Sequence, residues 1–476
     1  MKRLFSLLVG LLMLLTCFAG SDNLAHAASS VKSSCATSTG TNTLQGSIDG
    51  ANYTIQVPSN WNGTLVLYSH GYTPSTAPLI NPAPDAPDQP TATKLLQEGY
   101  ALVGSSYSQN GWAVQQAFHD QIALLNYFAA NCGNPTRTIA WGDSMGGLIT
   151  AGLVQLYPQR FAGAVPMCGL LSGSVGLFNV QLDGIFAFNL LLANGSLQLV
   201  NFTNAQATLT QAEGILAQAQ TTPEGRARIA LFSALEDVPG WFTTGSAEPA
   251  PNDYATQEQN QYLAAQVDFF FDFVAMSEAE ARAGGNYSWN NGVNYFQQFQ
   301  LSANHQEVQA LYKQAGLNLN KDLSTIEKAS RIHADPKAVN YMRNYIVYNG
   351  DLDIPVLTMH TTADPLVFNQ VEQAYASVVN RTGDSQLLRQ VFVHRAGHCA
   401  FTSAENLTAL HTLIRRLDTG RWDSSTSPDL MNWEASQYGP AYNGVPTLSG
   451  TVITQTPAFV SYNPAPFLRP YNAFSQ

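Results

Sequence analysis

Hydrophobic and polar positions follow two different periods over the first third of the chain. Residues 44–57 alternate apolar and polar side chains around Asp49-Gly50, which predicts a β-hairpin. The apolar run 63–70 is typical of a buried strand, whereas residues 112–131 carry apolar side chains at helical spacing. Strands and helices alternate in this way up to residue 169, which predicts a parallel sheet with crossover helices.

The pattern changes in the middle of the chain. Residues 170–340 contain long segments rich in Ala, Gln, Leu and Phe with no strand–helix alternation, which predicts a mostly helical insertion. Alternation resumes over 353–417. We therefore expect an α/β core formed by residues 28–169 and 341–420. The segment 421–476, rich in Pro, Tyr, Asn and Ser, is expected to run extended over that core.

The first 27 residues have the features of a signal peptide. A basic pair at 2–3 precedes the apolar run 4–15, and Ala-His-Ala at 25–27 fits a signal-peptidase site. An alternative is lipoprotein processing at Cys17. No later stretch has 18 uncharged apolar residues, so no membrane span is expected. The sequence thus predicts a protein secreted to the periplasm or the medium.

Composition narrows the possible partners. The chain has 22 basic and 33 acidic residues, a net charge of −11, and no basic run, which argues against nucleic-acid binding. Four cysteines remain after export, and their even number in an oxidising compartment predicts two disulfides with three possible pairings. Their spacing does not fit a zinc site, and we expect no metal. The oligomeric state is not predicted. The four cysteines are Cys35, Cys132, Cys168 and Cys399.

A Gly-x-Ser-x-Gly pattern lies between a predicted strand and a predicted helix. It comprises Gly142, Ser144 and Gly146. In this position the turn lifts the serine oxygen above the sheet edge, and the helix N-terminus favours a developing anion. The alternative is a glycine-rich turn with a surface serine. We predict that Ser144 is a nucleophile.

A serine nucleophile needs a base, and His398 is the best candidate among the histidines. It follows the last predicted strand on a loop that Gly397 makes flexible. A structural role is the default for histidines within or at the ends of predicted strands, and these are His70, His360 and His394. We therefore assign the base to His398.

The remaining parts of a hydrolytic site are an acid and an oxyanion hole. Asp364 follows the predicted strand 354–360 and precedes His398 in the chain, so it is the predicted acid. Asp143 adjoins the serine and is expected to cap the following helix. The backbone N–H groups of Tyr72 and Met145 are predicted to bind the oxyanion.

Ser144, Asp364, His398 and the His-Gly loop at 70–71 together resemble the α/β-hydrolase superfamily over residues 44–169 and 350–417. This resemblance implies a mostly parallel sheet of about eight strands with flanking helices. It also implies a cap inserted after the sixth strand, where the predicted helical insertion lies, and no cofactor.

Tannase and feruloyl esterase relatives of that superfamily have a Cys directly before the Ser and another directly after the His. Here Cys399 follows His398, but Asp143 precedes the serine. Cys168 ends a predicted strand at the same sheet edge as Cys399. These positions predict the pair Cys168–Cys399, which leaves Cys35–Cys132.

We therefore expect a secreted serine hydrolase that cleaves carboxylic esters, either small molecules or polymers. A serine peptidase of the same fold is an alternative, because Asp272, Glu278 and Glu280 in the insertion could hold a free amine. A solvated helix face also explains these three carboxylates. A second alternative is a non-catalytic binding protein. Phenylalanines within 269–273 are expected to pack in a helical core or to line an apolar substrate site.

Overall fold

The computed structural model describes Cys35 and residues 37–447 and 450–475, so the predicted leader 1–27 and Cys17 lie outside the described residues. Asp49 and Gly50 have positive φ values of 49° and 90° and form the tight turn of the first hairpin. The strands in chain order are β1 (Thr41–Ile48), β2 (Ala51–Pro58), β3 (Thr64–Ser69), β4 (Ala101–Ser105), β5 (Arg137–Asp143), β6 (Gly163–Met167), β7 (Val356–Ala363), β8 (Leu388–Ala396), β9 (Gly444–Pro446), β10 (Val452–Thr454) and β11 (Phe459–Val460).

Helices fill most of the intervals between these strands. A π-helical segment, Phe270–Ala275, joins the seventh and eighth helices. The helices are α1 (Gln89–Gln97), α2 (Val114–Asn131), α3 (Met145–Leu156), α4 (Gly173–Leu191), α5 (Ala205–Ala219), α6 (Pro223–Glu236), α7 (Tyr254–Phe269), α8 (Met276–Ala283), α9 (Tyr295–Leu301), α10 (His305–Gln314), α11 (Leu319–Lys328), α12 (Pro336–Asn344), α13 (Gln370–Thr382), α14 (Ser403–Thr419) and α15 (Pro428–Ser436).

The main sheet is mostly parallel, as the sequence predicts. It has nine strands in the order β1-β2-β4-β3-β5-β6-β7-β8-β11. The six strands from β4 to β8 in this order run parallel, and β1, β2 and β11 are antiparallel to their neighbours. The carboxyl ends of the parallel strands therefore meet at one edge, and the loops that follow β3, β5 and β7 come together there.

Helices cover both faces of this sheet, which explains why its central strands carry apolar side chains on both faces. Leu65 and Leu67 of β3 pack with α2 and α3, whereas Val66 and Tyr68 pack with α1 and α14 on the other face. Because both faces are buried, these strands lack the polar alternation seen in the first hairpin.

Between β6 and β7 the chain forms nine α-helices, α4 to α12, and residues 168–355 contain no strand. Much of this insertion has its own apolar core, separate from the two cores on the sheet. The helix α4 is long and apolar enough to cross a membrane, but 94% of an 18-residue stretch of it is buried inside the protein. The boundaries 170 and 340 of a cap domain stay a prediction.

The C-terminal segment is more regular than the sequence predicts. Its described residues form α15, the β9–β10 hairpin and β11, which pairs with β8 at the sheet edge. Pro428 begins α15, and Met431 and Ala435, one turn apart, are buried against α14. The expectation of an extended tail is therefore wrong for these parts, because α15 packs against α14 and β11 pairs with β8.

Candidate active site

Ser144 lies in a sharp turn between β5 and α3. Its φ and ψ are 55° and −126°, a combination that a non-glycine residue adopts only when its surroundings hold it there. A side chain on Gly146 would overlap the Ser69 carbonyl oxygen, and one on Gly142 would lie 2.5 Å from the same atom. The two glycines of the pattern are thus needed because β3 passes directly beneath the turn.

Three of the predicted residues come together at the carboxyl edge of the sheet. The Ser144 Oγ lies 2.8 Å from His398 Nε2, and His398 Nδ1 lies 2.8 Å from Asp364 Oδ2. The order of contacts is serine, imidazole and carboxylate. A neutral imidazole with its proton on Nδ1 can donate to Asp364 and accept from Ser144.

Asp364 is fully buried, and several donors hold its carboxylate. The backbone N–H groups of Leu366 and Val367 donate to Oδ1 at 3.0 and 2.9 Å. Burial alone would raise the pKa of Asp364, but the charge of His398 and hydrogen bonds from His360 and His398 lower it below its ordinary value. The carboxylate is therefore ionised at neutral pH and can orient a neighbouring imidazole.

Two backbone N–H groups lie in segments next to Ser144. The N–H of Met145 is at the start of α3, and Tyr72 follows Gly71, where an added Cβ would lie 3.2 Å from the Ser144 Cβ. No hydrogen bond joins the N–H of Tyr72 or of Met145 to another described residue. Unpaired backbone donors beside a serine oxygen are suited to an oxyanion.

Asp143 does not cap α3 as the sequence predicts. Its Oδ1 accepts a hydrogen bond of 2.8 Å from the Tyr68 hydroxyl, and the helix has no side-chain cap. The reason is that Asp143 is the last residue of β5, and its side chain extends toward the neighbouring strand β3. Burial raises the pKa of Asp143, although the Tyr68 hydrogen bond and the charge of His398 act in the opposite direction.

Two disulfides are present, Cys35–Cys132 and Cys168–Cys399, the same pairs that were inferred from the strand positions. The second adjoins both Ser144 and His398. The Ser144 N–H lies 3.4 Å from Cys168 Sγ, and Cys399 Sγ lies 3.4 Å from His398 Nε2. This disulfide ties the loop that carries the histidine to the strand beside the serine turn.

An apolar cavity of about 290 Å³ opens onto Ser144 and His398. Asp143 and Gln181 contribute polar side chains, and neither Lys nor Arg is among the lining residues. Aromatic and aliphatic side chains from the core and the insertion form most of the wall, and these are Tyr72, Trp112, Met145, Leu170, Leu177, Phe178, Phe271, Ala275, Leu366 and Val367.

The acidic residues considered for an amine site are placed elsewhere. Glu278 binds the Trp112 N–H and Arg282, and Glu280 accepts from the backbone of residues 201 and 202. Asp272 is fully buried, and none of the three lines the cavity. The expectation of a solvated helix face is also wrong for Asp272 and Glu280, which are buried.

The phenylalanines of the insertion divide between the two predicted roles. Phe269 and Phe273 are fully buried in the insertion core, whereas Phe271 lines the cavity. The ring centroid of Phe271 lies 5.7 Å from that of Tyr72 in an edge-on arrangement. The π-helical segment thus presents Phe271 to the active-site cavity and Phe273 to the helical core.

His360, for which the sequence predicts a structural role, contacts Asp364. Its Nε2 lies 3.4 Å from Asp364 Oδ2, and its Nδ1 lies 3.2 Å from Glu372 Oε1. The available signal was the spacing of four residues between His360 and Asp364 across the end of β7. No group of three His, Cys, Asp or Glu side chains within the described chain is arranged to hold a metal.

No protein-family model matches the chain. It is 29% identical over 432 residues to an o-phthalyl amidase from Xanthobacter agilis, which corresponds to 82% of this chain and 90% of the amidase. A feruloyl esterase B from Aspergillus oryzae has 16% identity and a TM-score of 0.35, covering 79% of this chain and 80% of its own.

A 2-hydroxy-6-oxo-6-phenylhexa-2,4-dienoate hydrolase from Rhodococcus has 14% identity and a TM-score of 0.36, covering 80% of this chain and 99% of its own. Both TM-scores are low, and neither structure bears on the activity of this chain. The strand order and the β5–serine–α3 turn are themselves those of a known architecture. The chain therefore has the α/β-hydrolase fold.

Proposed function

We propose that this protein is a secreted serine hydrolase that cleaves carboxylic esters through an acyl-enzyme on Ser144. The observation that carries the proposal is the pair of 2.8 Å contacts that join Ser144 Oγ to His398 Nε2 and His398 Nδ1 to Asp364 Oδ2. Hydrogen-bond contact between a nucleophile, a base and a carboxylate is the geometry that covalent acyl transfer requires.

In the proposed reaction His398 removes the hydroxyl proton as Ser144 Oγ attacks the substrate carbonyl. Asp364 stabilises the imidazolium that forms, and the N–H groups of Tyr72 and Met145 bind the oxyanion. His398 then donates the proton to the leaving alcohol, and the C–O bond of the ester breaks. Water, deprotonated by His398, attacks the acyl-enzyme, which releases the acid and restores Ser144.

The cavity supports a compact apolar acyl or aromatic group as the part of the substrate next to the carbonyl. Its volume of about 290 Å³ and its largely apolar wall suit a ring or a short chain. Phe271, Trp112 and Phe178 offer aromatic contacts, and the lining contains no Lys or Arg side chain to bind a carboxylate on the substrate.

Amide hydrolysis is the second candidate, because a relative that covers most of the chain is named an amidase. The same serine chemistry cleaves an amide when the base can protonate the leaving nitrogen. His398 contacts Ser144 through the nitrogen that would perform this step. Esters remain the first choice because their alcohol leaving groups depart more readily than amines.

Export is the remaining part of the proposal. Two disulfides support an oxidising compartment, because such bonds are rare in reducing cytosol. The predicted signal peptide at 1–27 agrees with export but lies outside the described residues. Expression with residues 1–27 intact, followed by fractionation and N-terminal sequencing, tests both points. Retention of the uncleaved chain in the cytoplasm would contradict them.

The function is tested with matched substrates and a fluorophosphonate probe. The protein should hydrolyse p-nitrophenyl benzoate, and benzoyl p-nitroanilide measures the amidase alternative with the same acyl group. Ser144→Ala should lower kcat by roughly 10⁵–10⁶ and abolish labelling. The exposed Ser385→Ala is the control and should behave as the native protein. Native protein that neither reacts with the probe nor turns over either substrate would favour a binding role.

A further inference from the structure

His360 is a buried histidine with an oxygen atom on each side. It lies in β7 and is fully buried, as are Asp364 and Glu372. Its Nε2 is 2.8 Å from the Val367 carbonyl oxygen and 3.4 Å from Asp364 Oδ2, and its Nδ1 is 3.2 Å from Glu372 Oε1. The imidazole thus bridges the acid of the triad and a second carboxylate from α13.

The partners of His360 indicate that both ring nitrogens carry hydrogen. A carbonyl oxygen can only accept, so the contact with Val367 requires a proton on Nε2. Glu372 Oε2 accepts from Thr358 Oγ1 at 2.6 Å and from Gln390 Nε2 at 2.5 Å, and two donors on one oxygen favour an ionised carboxylate. An ionised Glu372 can only accept at Oε1, which requires a proton on Nδ1.

The electrostatic balance of this buried region also favours an imidazolium. Burial would lower the pKa of His360, but hydrogen bonds and charge interactions with Asp364 and Glu372 raise it to about 10. Other titratable groups that interact with the two carboxylates include His398, Asp268, Tyr348 and Tyr375, and of these four only His398 can become a cation. Two buried carboxylates need a nearby positive charge to stay ionised.

We propose that His360 is a positioning residue of the active site, an imidazolium between Glu372 and Asp364 that keeps Asp364 ionised and aligned with His398. It touches neither substrate nor the reacting oxygen. Its effect on the rate rests on the proposed function, because it acts through the acid and the base. The contacts therefore extend the site from three residues to five: Ser144, His398, Asp364, His360 and Glu372.

The kinetic test replaces the charge but retains a donor. In His360→Gln the amide can still donate to the Val367 carbonyl, but the positive charge is lost. We expect kcat on p-nitrophenyl benzoate to fall about 10- to 100-fold with KM within about twofold. The acid limb of the kcat/KM profile should move upward by about one pH unit, because a nearby positive charge no longer opposes protonation of the base.

His411→Gln is the matched control. It removes a histidine of α14 that contacts Glu98 at 2.8 Å and does not line the cavity. Its pH profile should coincide with that of the native protein. If His360→Gln lowers kcat but leaves the acid limb in place, the residue has only a structural role and the proposal is wrong.

A second measurement requires no activity, and its first part uses the native protein alone. In ¹⁵N-histidine NMR spectra of the native protein at pH 8, one imidazole should have both nitrogens protonated. The signal should shift to a neutral form at lower pH in Glu372→Gln, which removes one counter-charge. A spectrum with every histidine neutral at pH 8 would overturn the proposal. If Ser144→Ala kept full activity, the proposed function would fail but the NMR result would still report on His360.

Discussion

Replacing Gly146 by alanine tests the geometry of the serine turn most directly. An alanine Cβ at this position would overlap the Ser69 carbonyl oxygen and lie 2.7 Å from the His70 carbonyl oxygen. Ordinary contacts begin at 3.4 Å, so the second approach alone requires a displacement of about 0.7 Å. Both obstacles are backbone atoms of the β3 end, so a side-chain rotation cannot relieve them.

The displacement would separate the two groups proposed to bind the oxyanion, because Met145 moves with α3 and Tyr72 moves with the loop after β3. Loss of one such donor lowers kcat by roughly 10²–10³. Overpacking should also destabilise the fold by about 1–3 kcal/mol, less the gain of up to about 1 kcal/mol from replacing glycine in a helix.

The matched control is Gly214→Ala in α5. Gly214 is also helical, but it is exposed and an added Cβ would meet no atom within 4 Å. This variant should be more stable by about 0.5–1 kcal/mol with unchanged kcat. Urea unfolding and p-nitrophenyl benzoate kinetics measure both effects. A Gly146→Ala protein with native stability and native kcat would refute the close passage of β3 beneath the turn.

Three further predictions concern charge, disulfides and cavity size. The pKa of His360 is raised to about 10, so the stability contributed by its charged form is complete below about pH 6.5 and is lost as pH rises toward 10. The unfolding free energy of the native protein should therefore fall more steeply across this pH range than that of His360→Gln, and parallel curves would contradict this. Cys399→Ala should lower kcat because the Cys168–Cys399 disulfide holds the His398 loop. Cys132→Ala should lower the unfolding free energy by an amount on the order of 4–5 kcal/mol with little change in kcat. Equal kcat values for the two variants would show that the Cys168–Cys399 disulfide does not support catalysis. Ala275→Leu narrows the cavity and should lower kcat/KM for p-nitrophenyl benzoate more than for p-nitrophenyl acetate, and an unchanged ratio would show that the aromatic ring binds elsewhere.

Local patterns in the sequence are sufficient to predict most of the core and the three side chains that meet at the carboxyl edge of the sheet. Ser144 could be predicted because the glycine pattern and the change from strand to helix are adjacent in the chain. His398 and Asp364 could be predicted because each follows a recognisable strand, and parallel strands place their carboxyl ends at one edge. These inferences need only the order of elements and the direction of the sheet.

Contacts between distant segments decided the rest. The sequence predicts that Asp143 caps a helix, but its carboxylate instead accepts a hydrogen bond from the Tyr68 hydroxyl on the adjacent strand. The two-residue strand β11 pairs with the edge of β8, and α15 packs on an apolar surface of α14. Neither contact can be read from the local sequence of the C-terminal segment. The sequence around His360 predicts only a histidine in a buried strand, because its contacts with Asp364 and Glu372 depend on the tertiary structure. A local pattern specifies which backbone a segment favours, but the partner of a polar group depends on which segments the fold brings within about 3 Å.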